Sequence, residues 1–195
     1  MKQIQIFMVF IAAVMLAMPA LAQQAEPGVT PDSILYGLDV ALDDIRYLLT
    51  LDTSEKARVG LEIAEERLAE VKEMILQNML DASQSAQKEH AKNLERVKGT
   101  IIILSKDNTE EELEDVSEIE QRVETHESEI ESLGEEIKLR IKVRGSLSQS
   151  HLMLIDDVIN SLGSKAEEVR VEIDNKKHQV KIRIRAETGK TKEEV

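Results

Sequence analysis

The chain has 195 residues and is strongly acidic, with 38 Asp and Glu against 25 Lys and Arg and a formal net charge of −13. Aromatics are only 2% and Cys and Trp are absent, which excludes a thiol nucleophile, a thiolate metal site and an aromatic-lined ligand pocket. The acidic balance also argues against nucleic acid and anionic membrane surfaces as partners.

Met1 to Ala22 reads as an export signal. Lys2 supplies the positive start, Ile6 to Met18 is an uncharged apolar run, and Ala20-Leu21-Ala22 is a small-x-small cleavage site. That run is shorter than the roughly 20 residues a bilayer-spanning helix needs. Cleavage after Ala22 is therefore expected, with an uncleaved N-terminal anchor as the alternative. Without Cys, a lipoprotein anchor is excluded.

Residues 23–29 read as a linker containing Pro27-Gly28, and residues 30–163 as a helical bundle. Thr30 as N-cap, Pro31 at the first helical position and Asp32 in the first turn signal a helix start. Leu35, Leu38, Leu42, Ile45 and Leu49 then recur at 3, 4, 3, 4 spacing, a stripe expected to face the core. Asp52 or Thr53 caps a second helix, with Glu55 placed for a capping box; its seam is Ala57, Leu61, Ala64, Leu68, Val71 and Ile75. Leu80 to Ser85, with Asp81, Ser83 and Ser85, reads as a break. A third helix carries Leu94, Val97, Ile101 and Leu104. After the turn Lys106–Thr109, a long fourth helix runs through Leu113, Val116, Val123, Ile130, Leu133, Ile137 and Ile141. Gly145 and the serines after it punctuate the chain before a fifth helix with Leu152, Ile155, Ile159 and Leu162.

Over residues 164–187 the pattern changes. Val169, Val171 and Ile173 alternate with charged residues, as do Val180, Ile182 and Ile184, and Asp174-Asn175 lies between the two runs. Such β-branched alternation around a turn predicts a C-terminal β-hairpin. The competing register is helical, since Ala166, Val169 and Ile173 also continue the fifth helix. Residues 188–195 read as a disordered tail.

Pro31-Asp32-Ser33-Ile34-Leu35-Tyr36, Ala41-Leu42, Lys56-Ala57-Arg58 and Leu61-Glu62-Ile63-Ala64-Glu65-Glu66-Arg67-Leu68-Ala69-Glu70 resemble an exported prokaryotic family catalogued as domain of unknown function number 5667. Its members carry a Pro-x-Ser-x-x-Tyr start and an Ala-Glu-x-Arg-Leu-x-Glu helix. The resemblance spans roughly residues 30 to 105. It implies a fold and export, and brings no activity, cofactor or catalytic residue. Tyr36 is expected to lay its ring on the second helix with its hydroxyl in water, a packing role in preference to a ligand contact.

Little in the sequence points to chemistry. His90 and His126 both fall on apolar stripes and could meet across the bundle to hold a metal with a nearby Glu, but they read first as polar seam residues that set register. His151 and His178 form no paired motif. Ser146, Ser148 and Ser150 beside His151 read as a cap for the fifth helix rather than a triad. Between Asp107 and Glu136 lie 14 acidic residues and one base, Arg122. A helix face offers two or three carboxylates where a specific Ca²⁺ site needs about six ligands, so weak divalent cation binding is the most this run suggests. Lys176, Lys177, Lys181, Arg183, Arg185, Lys190 and Lys192 form a basic patch suited to dock on that acidic helix, within the chain or between copies.

The resulting expectation is a mainly α protein, a bundle of four to five long helices with heptad-like seams and a small β-hairpin. No catalytic, cofactor-binding or metal residue is expected. The functional expectation is an exported, non-catalytic structural or protein-interaction module of the cell envelope, self-associating or bound to a protein partner, with membrane contact only through an uncleaved signal. The alternative is a binding protein or stress chaperone that captures cations or basic, unfolded clients.

Overall fold

The computed structural model describes residues 25–144 and 148–189, with side chains at 141–144 and 188 left out. The signal segment, Gly145, Ser146 and the tail from residue 190 lie outside the described residues. Five helices follow in order: α1 (Tyr36–Leu49), α2 (Thr53–Leu76), α3 (Leu80–Ile103), α4 (Thr109–Arg144) and α5 (Gln149–Thr188).

Local chemistry sets each boundary. Pro31 does not open a helix, because Ser33 N–H bonds to the Thr30 carbonyl at 2.9 Å and the Ser33 hydroxyl takes the Leu35 N–H at 3.2 Å. That local satisfaction holds the segment in turns, and α1 begins only at Tyr36. Asp52 is the cap of α2, accepting the Glu55 N–H at 2.9 Å. The break expected at Leu80–Ser85 falls earlier. Asn78 adopts φ 62°, Met79 N–H reaches the Met74 carbonyl at 2.8 Å, and Asn78 N–H reaches Ile75 at 3.0 Å. This is a Schellman end with Asn in the left-handed place. Leu80–Ser85 is instead the first turn and a half of α3, where the Ser83 hydroxyl is taken up by the Leu80 carbonyl. The Ser148 hydroxyl caps α5 through the His151 N–H, as the serine-rich stretch suggested.

Helices α2 to α5 form the bundle, and one continuous aliphatic core joins them. Contacts between Arg58 and Asp115 and between Lys72 and Glu136 run α2 parallel to α4, whereas Arg183 on Glu112 and Thr109 on Glu187 run α5 antiparallel to α4. Gln87 on Ser161 and Lys176 on the Ile102 carbonyl place α5 along α3 in the same direction. The seam residues named above for α2, and Leu94, Val97, Ile101 and Leu104, are all buried, as are Val116, Val123, Ile130, Leu133, Ile137, Ile155 and Leu162. Leu113, Leu152 and Ile159 are only partly buried.

No β-hairpin forms; residues 164–187 continue α5, which runs for 40 residues. Of the six β-branched residues, Val169, Ile173, Val180 and Ile184 face inward at helical spacing, while Val171 and Ile182 stand outward, 53% and 50% exposed. Asp174 and Asn175 sit in mid-helix. The long α4 offers a continuous track for a helix with that four-residue register. Packing along that track overrides the β propensity.

α1 is not part of the bundle core. It docks on α2 and α3 through Tyr47, which packs with Val59 and Ile63 in a small second cluster. Gly60 makes the space: a Cβ there would lie 2.7 Å from Val97 Cγ2 and 3.3 Å from Tyr47 Cε2. The Tyr47 hydroxyl lies 2.7 Å from Thr100 Oγ1 and donates to the Arg96 carbonyl at 3.2 Å. Gly60→Ala should therefore unseat Tyr47. Overpacking against a stiff Val costs about 1–3 kcal/mol, only partly offset by the ~1 kcal/mol gain in helix propensity. Urea unfolding should show a net loss, and α1 should become the first site of proteolysis.

Candidate functional site

Two polar constellations interrupt the aliphatic packing. The first is built from His90 on α3 and His126 on α4, both fully buried. Each lies on the apolar stripe of its helix, so folding brings them face to face. Their Nε2 atoms are 2.7 Å apart and the rings stack with centroids at 5.0 Å and an interplanar angle of 22°. One ring therefore donates the shared proton to the other, and each Nδ1 is buried without a hydrogen-bond partner. Burial holds both imidazoles below their ordinary range: His126 is lowered to about 4, with help from the Arg122 charge, and His90 is lowered by burial and by His126. The pair is neutral at physiological pH. Among the described residues, no group of three or more His, Asp or Glu is arranged to hold a metal ion. The two histidines thus meet as the sequence allowed, without the third ligand that a metal reading needed.

The second constellation centres on Arg67 of α2, 1% exposed. Its guanidinium donates to Asp39 of α1 at 2.7 Å, to Asp43 of α1 and to Glu70 of α2. The plane also lies over the Tyr36 ring, 5.4 Å from its centroid. Tyr36 thus lays its ring against the second helix as expected, but its hydroxyl is buried without a partner rather than wet. Three carboxylates around one cation leave an excess of negative charge. Burial pushes Glu70 up to about 7 against the pull of Arg67, and Glu70 Oε2 has no partner. Asp43 is raised by burial as well. Next to this centre, Asp44 accepts from Arg96 at 2.6 Å and from Lys92 at 3.2 Å, and Arg46 donates to Glu62 at 2.6 Å.

These contacts turn α1 over. Asp39, Asp43 and Asp44 face the bundle, and the stripe expected to be buried faces outward: Leu35, Leu38, Leu42, Ile45 and Leu49 are each 51–73% exposed, and Leu48 beside them is exposed as well. The reason is electrostatic. A guanidinium withdrawn from water requires anionic partners, and only the polar side of α1 supplies two of them. The sequence reading missed Arg67 and its carboxylates. A signal existed in the second stripe of α1, where Tyr36, Asp39, Asp43 and Tyr47 recur at helical spacing and include every aromatic residue beyond Phe10.

The acidic stretch of α4 is largely engaged within the chain. Glu112 is fully buried between Arg183 and Lys176 of α5 and also accepts the Lys106 N–H at 3.1 Å. Asp115 and Glu118 accept from Arg58 at 2.7 and 2.8 Å, and Glu120 accepts from Lys177. Lys176, Lys177 and Arg183 of the basic patch therefore do dock on the acidic helix within the chain, from a helix rather than from a hairpin, while Lys190 and Lys192 lie outside the described residues. A polar groove of about 300 Å³ between α2 and α4 is lined by Glu65, Gln121, Arg122, Thr125 and Glu129, with Ala25 at its edge. Burial raises both Glu65 and Glu129, and Arg122 holds Glu65 through two bonds of 2.9 and 3.1 Å. His178 is exposed and His151 partly so, and neither joins a site.

The fold is a four-helix bundle carrying an externally docked N-terminal helix. The family model described as Domain of unknown function (DUF5667) matches residues 28–127, just over half of the chain, and the chain belongs to that family. The match takes in α1, α2, α3 and the half of α4 that ends just past His126, and so contains both constellations. No curated protein and no solved structure matches the chain.

Two variant sets separate the roles of these centres. As pH falls, the unfolded chain protonates its histidines near 6.5 while folded His126 resists until about 4. Stability should thus be full above pH 6.5 and decline toward pH 4, by on the order of 3 kcal/mol from His126 alone. The double variant His90→Leu/His126→Leu should match the parent at pH 7 and lose this part of the acid sensitivity. His126→Leu alone strands the His90 ring and should cost about 1–3 kcal/mol at pH 7. Both follow from chemical denaturation at stepped pH. Arg67→Leu leaves its carboxylates unpaired and should cost about 3–5 kcal/mol, with rapid proteolysis within α1.

Proposed function

We propose that this protein is an exported, non-catalytic interaction module of the cell envelope, in which the bundle is a rigid support and α1 presents an apolar face to a protein partner. The observation that carries this reading is the orientation of α1: an amphipathic helix held by ionic contacts on its polar side, with its leucines turned to solvent. Surface leucines are ordinary when scattered, but a contiguous stripe along one helix is a recognition feature. Export rests on the Met1–Ala22 signal. No described helix is long and apolar enough to cross a membrane.

The alternative, capture of cations or basic clients along α4, is less favoured because so many of its carboxylates are already committed to Arg58, Lys72, Lys176, Lys177 and Arg183. In the native host, the protein should appear outside the cytoplasm with a mass that begins at Gln23. A photo-crosslinking residue at Leu42 should give one discrete protein adduct, and the same residue at exposed Leu139 on α4 should give at least about tenfold less. A cytoplasmic protein, or equal labelling at the two positions, would defeat the reading.

A further inference from the structure

Resting on that reading of α1, we infer that its apolar face is covered by a second copy of this chain, the two α1 helices packing antiparallel about a twofold axis. Leu35, Leu38, Leu42, Ile45 and Leu49 follow the 3, 4, 3, 4 spacing of a two-helix coiled-coil seam, and each of them is more than half exposed. A seam of this kind is self-complementary, as a twofold interface requires. The exposed Leu and Ile side chains from Leu35 to Leu49 present on the order of 600 Å² of apolar surface, at the upper end for the largest patch on a monomer. Two such faces together reach the ~1,200 Å² at which stable interfaces begin.

Charge selects the direction of packing. Asp39 and Arg46 border the stripe on one side; each is held within the chain, to Arg67 and to Glu62, yet their side chains stay 25% and 46% exposed. Parallel packing sets Arg46 beside the apolar Ala41 of the second copy, with no charge to meet. Antiparallel packing sets Asp39 near Arg46 of the second copy and pairs Leu42 with Ile45, and Leu38 with Leu49. Ala41, exposed beside Leu42, allows the backbones to approach. A lipid surface is the poorer occupant: α1 carries one Arg and no Lys, where interfacial helices are rich in both, and the chain is acidic throughout.

The test uses the protein from Gln23, since every described core side chain lies beyond it. Analytical ultracentrifugation at micromolar concentrations should show a dimer. Leu42→Glu should raise its dissociation constant at least about tenfold while the helical circular dichroism and melting temperature hold, because Leu42 points away from the bundle. The chain has no Cys, so mixing L42C with I45C under mild oxidation should give a cross-linked pair in higher yield than either variant alone. A monomer, or a dimer indifferent to Leu42→Glu, overturns the inference. A monomer that cross-links in the host only to a different protein overturns the second copy yet leaves the interaction reading standing, whereas a monomer that co-sediments with phosphatidylcholine vesicles overturns both. A monomer with neither property, and with no adduct at Leu42 in the host, removes both.

Discussion

The arrangement of this protein depends on one buried cation. Arg67 sits in the second helix beside seam residues, where the packing of α2 against its neighbours takes its guanidinium out of water. An isolated charge there would cost several kcal/mol, so the chain must bring carboxylates to it. Glu70 comes from the next turn of the same helix, and Asp39 and Asp43 come from α1. Once two aspartates of a short helix must point inward, the leucines on its other side have to point outward. The ion cluster therefore determines which side of α1 the protein shows to its surroundings.

Tyr47 and Gly60 complete this attachment by different means. The ring enters a notch that exists because residue 60 lacks a Cβ, and cations flank it: Lys56 and Arg96 lie 4.8 and 5.1 Å from its centroid. Polar and aromatic contacts thus do at α1 what aliphatic burial does in the remaining four helices. Such an attachment leaves the apolar side of the helix available, which a helix docked by its leucines would not.

Within the bundle, electrostatics chooses among packings that aliphatic residues alone would leave nearly equivalent. The acids of α4 meet bases on two neighbouring helices, Arg58 and Lys72 on α2 and Lys176, Lys177 and Arg183 on α5. The exposed members of this set contribute little individually, but the buried Glu112 with its two cations fixes the axial position of α5 against α4. The histidine pair works similarly on α3 and α4, because a one-turn slip would separate two buried imidazoles and strand both.

Much of this was legible in the residues. Apolar spacing located all five helices, the seams of α2 and α3 were read correctly, and the meeting of His90 with His126 followed from their places on two stripes. Other features were not, among them three with clear causes. The end of α2 depended on Asn78 entering the left-handed region, a weaker signal than the Asp and Ser cluster after it. The hairpin misread came from Val171 and Ile182, whose outward positions in a helix cannot be told from one face of a strand by alternation alone. The outward leucines of α1 were hidden because two stripes compete on that helix, and hydrophobicity favours the wrong one. What the sequence by itself determined is therefore the mainly helical class, the approximate place of the helices and the aliphatic core of four of them, since these follow from local periodicity and burial. Only the tertiary structure decided the continuous α5 and the facing of α1, because each depends on a partner distant in sequence: the long track of α4 in one case, the buried charge of Arg67 in the other.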